Sequence, residues 1–186
     1  MKVFISWSGE TSCQVAFTLW DWLRRFIPGV KPWMSSEDIM KGARWLLEIA
    51  DQLKKAKIGI ICLTKENIES PWILFEAGAL SNALGKPFVC TYLFGLKPTE
   101  IEGPLFQFQH TIANKKETRK LLDTINQALD KKIRLSKSGI DKIFEERWPE
   151  LENSLNKIPL QETYKLEISV IEILQKMLSN AKRLAR

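Results

Sequence analysis

Seven residues, Lys57 to Leu63 (KIGIICL), constrain the fold more than any other stretch of this chain. They form a continuous apolar run rich in β-branched side chains, and helical spacing flanks them on both sides. A strand with one wet face alternates apolar and polar residues, whereas a run apolar throughout belongs to a strand covered on both faces. That is the signature of a parallel sheet sandwiched between helices, and the rest of the chain follows it.

The first residues, KVFIS at 2–6, read as a strand that feeds a helix from Glu10 to Phe26, where Val15, Leu19, Trp22 and Phe26 recur at helical spacing. Pro28-Gly29 ends it. A second strand over Val30 to Met34 leads into the polar loop SSEDIMKG. A helix from about Ala43 to Ala56 then precedes the 57–63 run. Further strands are expected over Pro87 to Leu93 and, more weakly, His110 to Ala113, with a helix from about Lys116 to Lys132. Strands that alternate with helices in this way give a parallel α/β sheet with helices on both faces. After residue 135 only helices are expected: Ile140 to Ile158, broken or kinked at Trp148-Pro149, and Thr163 to Arg186. The last carries Leu166, Val170, Ile173, Met177 and Leu184 along one face, widened by Ile168, Ile171, Leu174 and Leu178. That is more apolar surface than a free helix exposes, so it is expected to pack back on the domain or to pair with another chain. The expected division is an α/β domain over 1–135 and a helical extension over 136–186.

Composition removes several function classes. One histidine, His110, excludes histidine-dependent triads and multi-histidine zinc sites within a single chain, and it reads as a structural or surface residue. Cys13, Cys62 and Cys90 are an odd number at no metal-ligand spacing, so neither disulfides nor a metal site are expected. The net charge of +6 is concentrated after His110, but no nucleic-acid module accompanies it, and these charges read as solvated helix faces. No apolar run approaches the ~20 residues that span a bilayer, and no signal segment opens the chain, so a cytoplasmic location is expected.

One acid stands in an unlikely place. In SPWILFEAGALSNALG, residues 70–85, Ser70 suits a helix cap, Pro71 the first helical position, and Gly85 with Pro87 the stop. Trp72, Phe75, Ala79, Leu80 and Ala83 fall on one face, and Glu76 lies inside that stripe. Burying a carboxylate among apolar neighbours is costly unless something pairs with it. Gly78, unfavourable within a helix, suggests close approach by another backbone or a ligand.

Four segments in this order and spacing resemble the Toll/interleukin-1 receptor (TIR) domain family, in its bacterial NAD-cleaving form. They are FISWSG at 4–9, EDIMKGARW at 37–45, IICLTKENIESPW at 60–72 and the Trp72-x-x-x-Glu76 pair, and the likeness covers about residues 1–132. It departs from the family where Lys41-Gly42 replaces Pro-Gly, Trp7 replaces Tyr and Ile73 replaces Cys. The resemblance implies a flavodoxin-like five-stranded sheet of order 2-1-3-4-5. It also implies an NAD+ glycohydrolase or cyclase with Glu76 as catalytic residue, with NAD+ as substrate and no further cofactor. Active sites completed by a neighbouring subunit, hence a homo-oligomer, and a role in bacterial anti-phage defence follow from the same likeness. The alternative it leaves open is a non-catalytic TIR–TIR signalling module that recruits partners through SSEDIMKG.

With that strand order, ligands bind beyond the carboxyl ends of the first and third strands. Ser6, Trp7 and Ser8 lie at the first of these, in a loop opening a helix whose free amides favour a pyrophosphate. Ser6 and Ser8 also suit plain turn and capping roles. Trp72 is either core filling or packs beside the ligand. Trp33 and Trp45 bracket the SSEDIMKG loop, to stack on an adenine or to anchor it. Asp38 and Lys41 read as exposed loop charges; in the family's catalytic members an acid of this loop closes over the substrate. Gly42 serves backbone geometry.

Overall fold

A computed structural model of the chain describes residues 1–34, 51–52, 55–83 and 88–160, with side chains for all of these except 76, 79–83 and 88. Five parallel strands, β1 (Lys2–Ser6), β2 (Lys31–Met34), β3 (Ile58–Leu63), β4 (Phe88–Leu93) and β5 (Gln109–Ile112), form one sheet in the order β2-β1-β3-β4-β5. Among the described residues, four α-helices with defined bounds accompany them: α1 (Glu10–Phe26), α2 (Pro71–Ala83), α3 (Lys115–Ala128) and α4 (Lys137–Leu155). This is the flavodoxin-like α/β architecture. Of the helix expected over 43–56, residues 51, 52 and 55 are described and are helical. The helix expected over 163–186 lies outside the described residues. No helix among the described residues is long and apolar enough to cross a membrane.

The period of two along each strand divides the core into two layers. Val3, Ile5, Ile58, Ile60, Cys62, Cys90 and Tyr92 face one side, where α1 and α3 cover them and α4 packs on those two helices. Phe4, Ile61, Leu63, Val89 and Leu93 face the other, against Ile73 and Ala77 of α2. All six residues of β3 are buried, as its unbroken apolar run requires. Burial also pushes the Cys90 thiol up to about 11 and the Cys62 thiol higher still, so both stay protonated as small apolar side chains.

α4 is continuous through Pro149, so of the break or kink suggested there by the sequence, the break does not occur. Pro149 and Glu145 are both exposed, so the carbonyl that a proline leaves unbonded one turn back meets water rather than protein. The opposite face holds the helix in place: Ile140, Phe144, Trp148, Leu151 and Leu155 are buried, and Trp22 Nε1 of α1 donates to the Arg147 carbonyl at 3.1 Å.

His110 stands in β5, with Nδ1 2.7 Å from Thr91 Oγ1 and Nε2 shielded from solvent without a partner among the described residues. Partial burial lowers its pKa below the usual histidine value. The folded chain therefore binds fewer protons than the unfolded chain just below that value, and stability rises with pH in the window. This contribution is complete above the unfolded pKa of about 6.5 and is lost as pH falls from there through the lower folded pKa. Urea midpoints should fall from pH 7.5 to pH 5.5, and the fall should be smaller in His110→Asn. An equal fall in both proteins would remove His110 as its source.

Candidate functional site

The chain runs outward from β1 to β2 and then crosses to β3 on the far side, so the topological switch lies between β1 and β3. In such sheets the crevice beyond the carboxyl ends of those two strands is the ligand position. Two loops build it: Trp7 to Gly9, leading into α1, and Thr64 to Ser70, leading into α2.

Asn67, only 1% exposed, fixes the second loop. Its Oδ1 accepts from Thr64 N–H at 2.9 Å, its Nδ2 donates to the Cys62 carbonyl at 3.0 Å, and its own carbonyl accepts from Ser70 N–H at 3.0 Å. Sequence reading passed over this residue, although a short polar side chain just after a strand is a turn signal. Ser70 stands at the N-cap of α2 as expected, its carbonyl accepting the first helical bond from Leu74 N–H at 3.1 Å. Its hydroxyl lies 3.0 Å from Ser8 Oγ, which ties the two loops together across the switch point.

A second residue without a role in the sequence reading is Glu66. Its carboxylate accepts from Glu10 N–H at 3.0 Å and from Thr11 N–H at 3.2 Å, so it caps α1 across 55 residues of sequence. Gly9, at the N-cap with φ 90°, offers no side-chain cap of its own. A Cβ there would collide with the Glu66 carboxylate, so the close approach needs glycine as much as the left-handed backbone does. The expectation of free amides waiting for a pyrophosphate is corrected by this contact. The first turn of α1 already holds an anion, supplied by the chain.

The expected site residues divide into several groups. Ser6 is buried within β1 at 2% exposure, whereas Ser8 lies at the loop surface. Trp7 packs its ring against the first core layer, and its Nε1 is shielded without a partner among the described residues, as is Thr64 Oγ1. Trp33 is 6% exposed and stacked on Phe4, ring centroids 5.1 Å apart, which is the place of an anchor and leaves little ring for an adenine. Trp72 is half-buried beside Phe75 at 5.6 Å. Asp38, Lys41, Gly42 and Trp45 lie outside the described residues.

Glu76 is described as a position in α2; its side chain lies outside the described residues. The buried stripe of the helix runs through Ile73 and Ala77, while Phe75 is 55% exposed. Phe75 is thus not part of the stripe assigned to it. At 100° per residue the Glu76 position falls between buried Ile73 and half-buried Trp72, on the flank of the stripe. Of the two neighbours expected at Gly78, a backbone or a ligand, no backbone is met among the described residues: Gly78 is exposed, and a Cβ there would meet no described atom within 4 Å. With no close neighbour among the described residues, Gly78→Ala should stabilise the chain by up to about 1 kcal/mol, read as a higher urea midpoint. A lower midpoint would mean that something does approach this position.

No curated protein matches the chain. Among solved structures it is similar to the TIR domains of the activated Roq1 resistosome directly recognizing the pathogen effector XopQ. Sequence identity is 15%, coverage is 95% of this chain and 98% of that one, and the TM-score is 0.47. The profile of the TIR domain family matches residues 3–122, from β1 into α3. Spanning all five strands and both loops of the switch point, that match shows that the chain belongs to the TIR domain family.

Proposed function

We propose that this TIR domain hydrolyses or cyclises NAD+, breaking the nicotinamide–ribose bond and leaving ADP-ribose or a cyclic isomer. The observation that carries the proposal is the place of Glu76. It stands on the helix that leaves β3 at the switch point, four residues after Trp72, in a chain of a family whose catalytic members use the glutamate of this pattern. The chemistry asks little else of the protein. Nicotinamide departs neutral from a cationic pyridinium and takes the bonding electron pair with it, so no acid has to protonate it. The positive charge that grows on the ribose carbon needs one preorganised carboxylate, and Glu76 is assigned that role. A chain with one histidine, on β5 and itself hydrogen-bonded to Thr91 of β4, suits such a reaction.

Within this reading NAD+ is the substrate, no other cofactor takes part, and activity rises on TIR–TIR assembly in the bacterial cytoplasm during defence against phage. The test is direct: incubate the purified chain with NAD+ and measure free nicotinamide, in dilute solution and again at high concentration with a crowding agent. Release that grows faster than protein concentration supports both cleavage and assembly. No release under either condition would sink the enzymatic reading and leave a module that only binds other TIR domains.

A further inference from the structure

Three backbone donors around the start of α1 already have partners within the chain. Ser8 N–H donates to Ser12 Oγ at 3.0 Å, Glu10 N–H to Glu66 Oε1 at 3.0 Å and Thr11 N–H to Glu66 Oε2 at 3.2 Å. A carboxylate that accepts through both oxygens from adjacent amides at a helix start has the position and the sign of charge that a phosphate takes at such a site. Gly9 lets it come closer than any other residue there would allow.

We infer that Glu66 is a built-in anion that closes the start of α1 to phosphates and so determines which part of a ligand this edge of the sheet accepts. A phosphate brought here meets a like charge and finds these donors in use. Of the shielded polar atoms without partners among the described residues, the two that belong to the loops of the crevice are Trp7 Nε1 and Thr64 Oγ1, an indole donor and a hydroxyl. Both are neutral. They suit uncharged hydroxyl or amide groups, such as those of a sugar, rather than a phosphate oxyanion. Glu66 is thus a specificity-determining residue, and the phosphates of any nucleotide bound in the crevice lie away from α1.

The inference concerns an anion site and not bond cleavage, so its test needs no NAD+ and separates its failure from that of the proposed activity. Thermal melts of the wild type and of Glu66→Gln are compared with inorganic pyrophosphate, against sodium chloride of equal ionic strength. The wild type should not respond, while the variant should gain Tm with pyrophosphate and bind it at least about tenfold more tightly than the wild type does. Glu66→Asp, which keeps the charge, should behave like the wild type. An equal response in wild type and Glu66→Gln, or no response in either, overturns the inference. Should Glu66→Gln fail to fold, amide resonances decide on the wild type alone. Those of Glu10 and Thr11 should stay fixed as pyrophosphate is added, and a saturable shift would show the site open despite Glu66.

Discussion

Replacing Glu76 with glutamine should slow nicotinamide release from NAD+ by about a thousandfold, a loss of about 4 kcal/mol of transition-state stabilisation. The magnitude follows from the charge balance of the step. As the bond between the ribose carbon and the pyridinium nitrogen breaks, its electron pair neutralises the ring and positive charge moves to the sugar. Water, or a ring nitrogen in a cyclising reaction, then forms the new bond to that carbon. Glutamine matches the shape of glutamate but carries no charge, so it keeps the packing of α2 and removes only the electrostatic part. The position lies on the flank of the Ile73–Ala77 stripe rather than at its centre, so the melting temperature should change by no more than a few degrees. Purified wild type and variant are compared by free nicotinamide at equal NAD+, with melts run alongside. A folded variant that keeps most of the activity would take the catalytic role from Glu76. A variant that loses activity together with its cooperative melt would show a structural acid instead.

The sheet was legible because each strand carries its own signal. The KIGIICL run implied cover on both faces, and the structure buries every residue of Ile58–Leu63, with alternate side chains entering opposite core layers. Helix α1 starts and stops at the residues that its spacing and Pro28-Gly29 set. Local patterns of this kind are written within one turn or one strand. What the sequence hid depends on contacts made across the chain. The cap of α1 comes from Glu66, more than 50 residues away, and nothing near Gly9 announces it. Phe75 and Ile73 are both apolar residues of one helix, and only the docking direction of α2 decides that Ile73 goes in and Phe75 out. Trp33 read equally well as an adenine platform or an anchor until Phe4, on the neighbouring strand, supplied the ring against it. Pro149 read as a break or a kink because its rule is local, while Phe144, Trp148 and Leu151 keep the helix seated on both sides of it.

Phe144→Ala should destabilise the chain by about 3–5 kcal/mol, the cost of emptying a phenylalanine site in a packed core. Phe144 is 2% exposed and stands between two helices. Its ring meets Trp22 edge-on at 6.3 Å and Phe26 at 6.4 Å on α1, and Trp148 at 5.5 Å one turn along α4. Each well-placed aromatic pair adds roughly 0.5–1.5 kcal/mol to the area buried, so removing the shared ring loosens several contacts together. Against a typical total of 5–15 kcal/mol the loss would be a large fraction of the whole. The ion pairs between α3 and α4 make the useful contrast. Lys115–Glu145 at 2.6 Å and Arg119–Asp141 at 2.5 Å join the same helix to the domain, but Glu145 and Asp141 are solvent-exposed, and such pairs contribute about 0–1 kcal/mol. Glu145→Ala should therefore shift the urea midpoint only slightly, while Phe144→Ala shifts it far, with one cooperative transition in both. If Phe144→Ala cost less than about 1 kcal/mol, or if it split the transition in two, α4 would be an appendage whose packing on α1 adds little. Trp22 and Phe26 of α1 would then have to be stable without the helix that covers them.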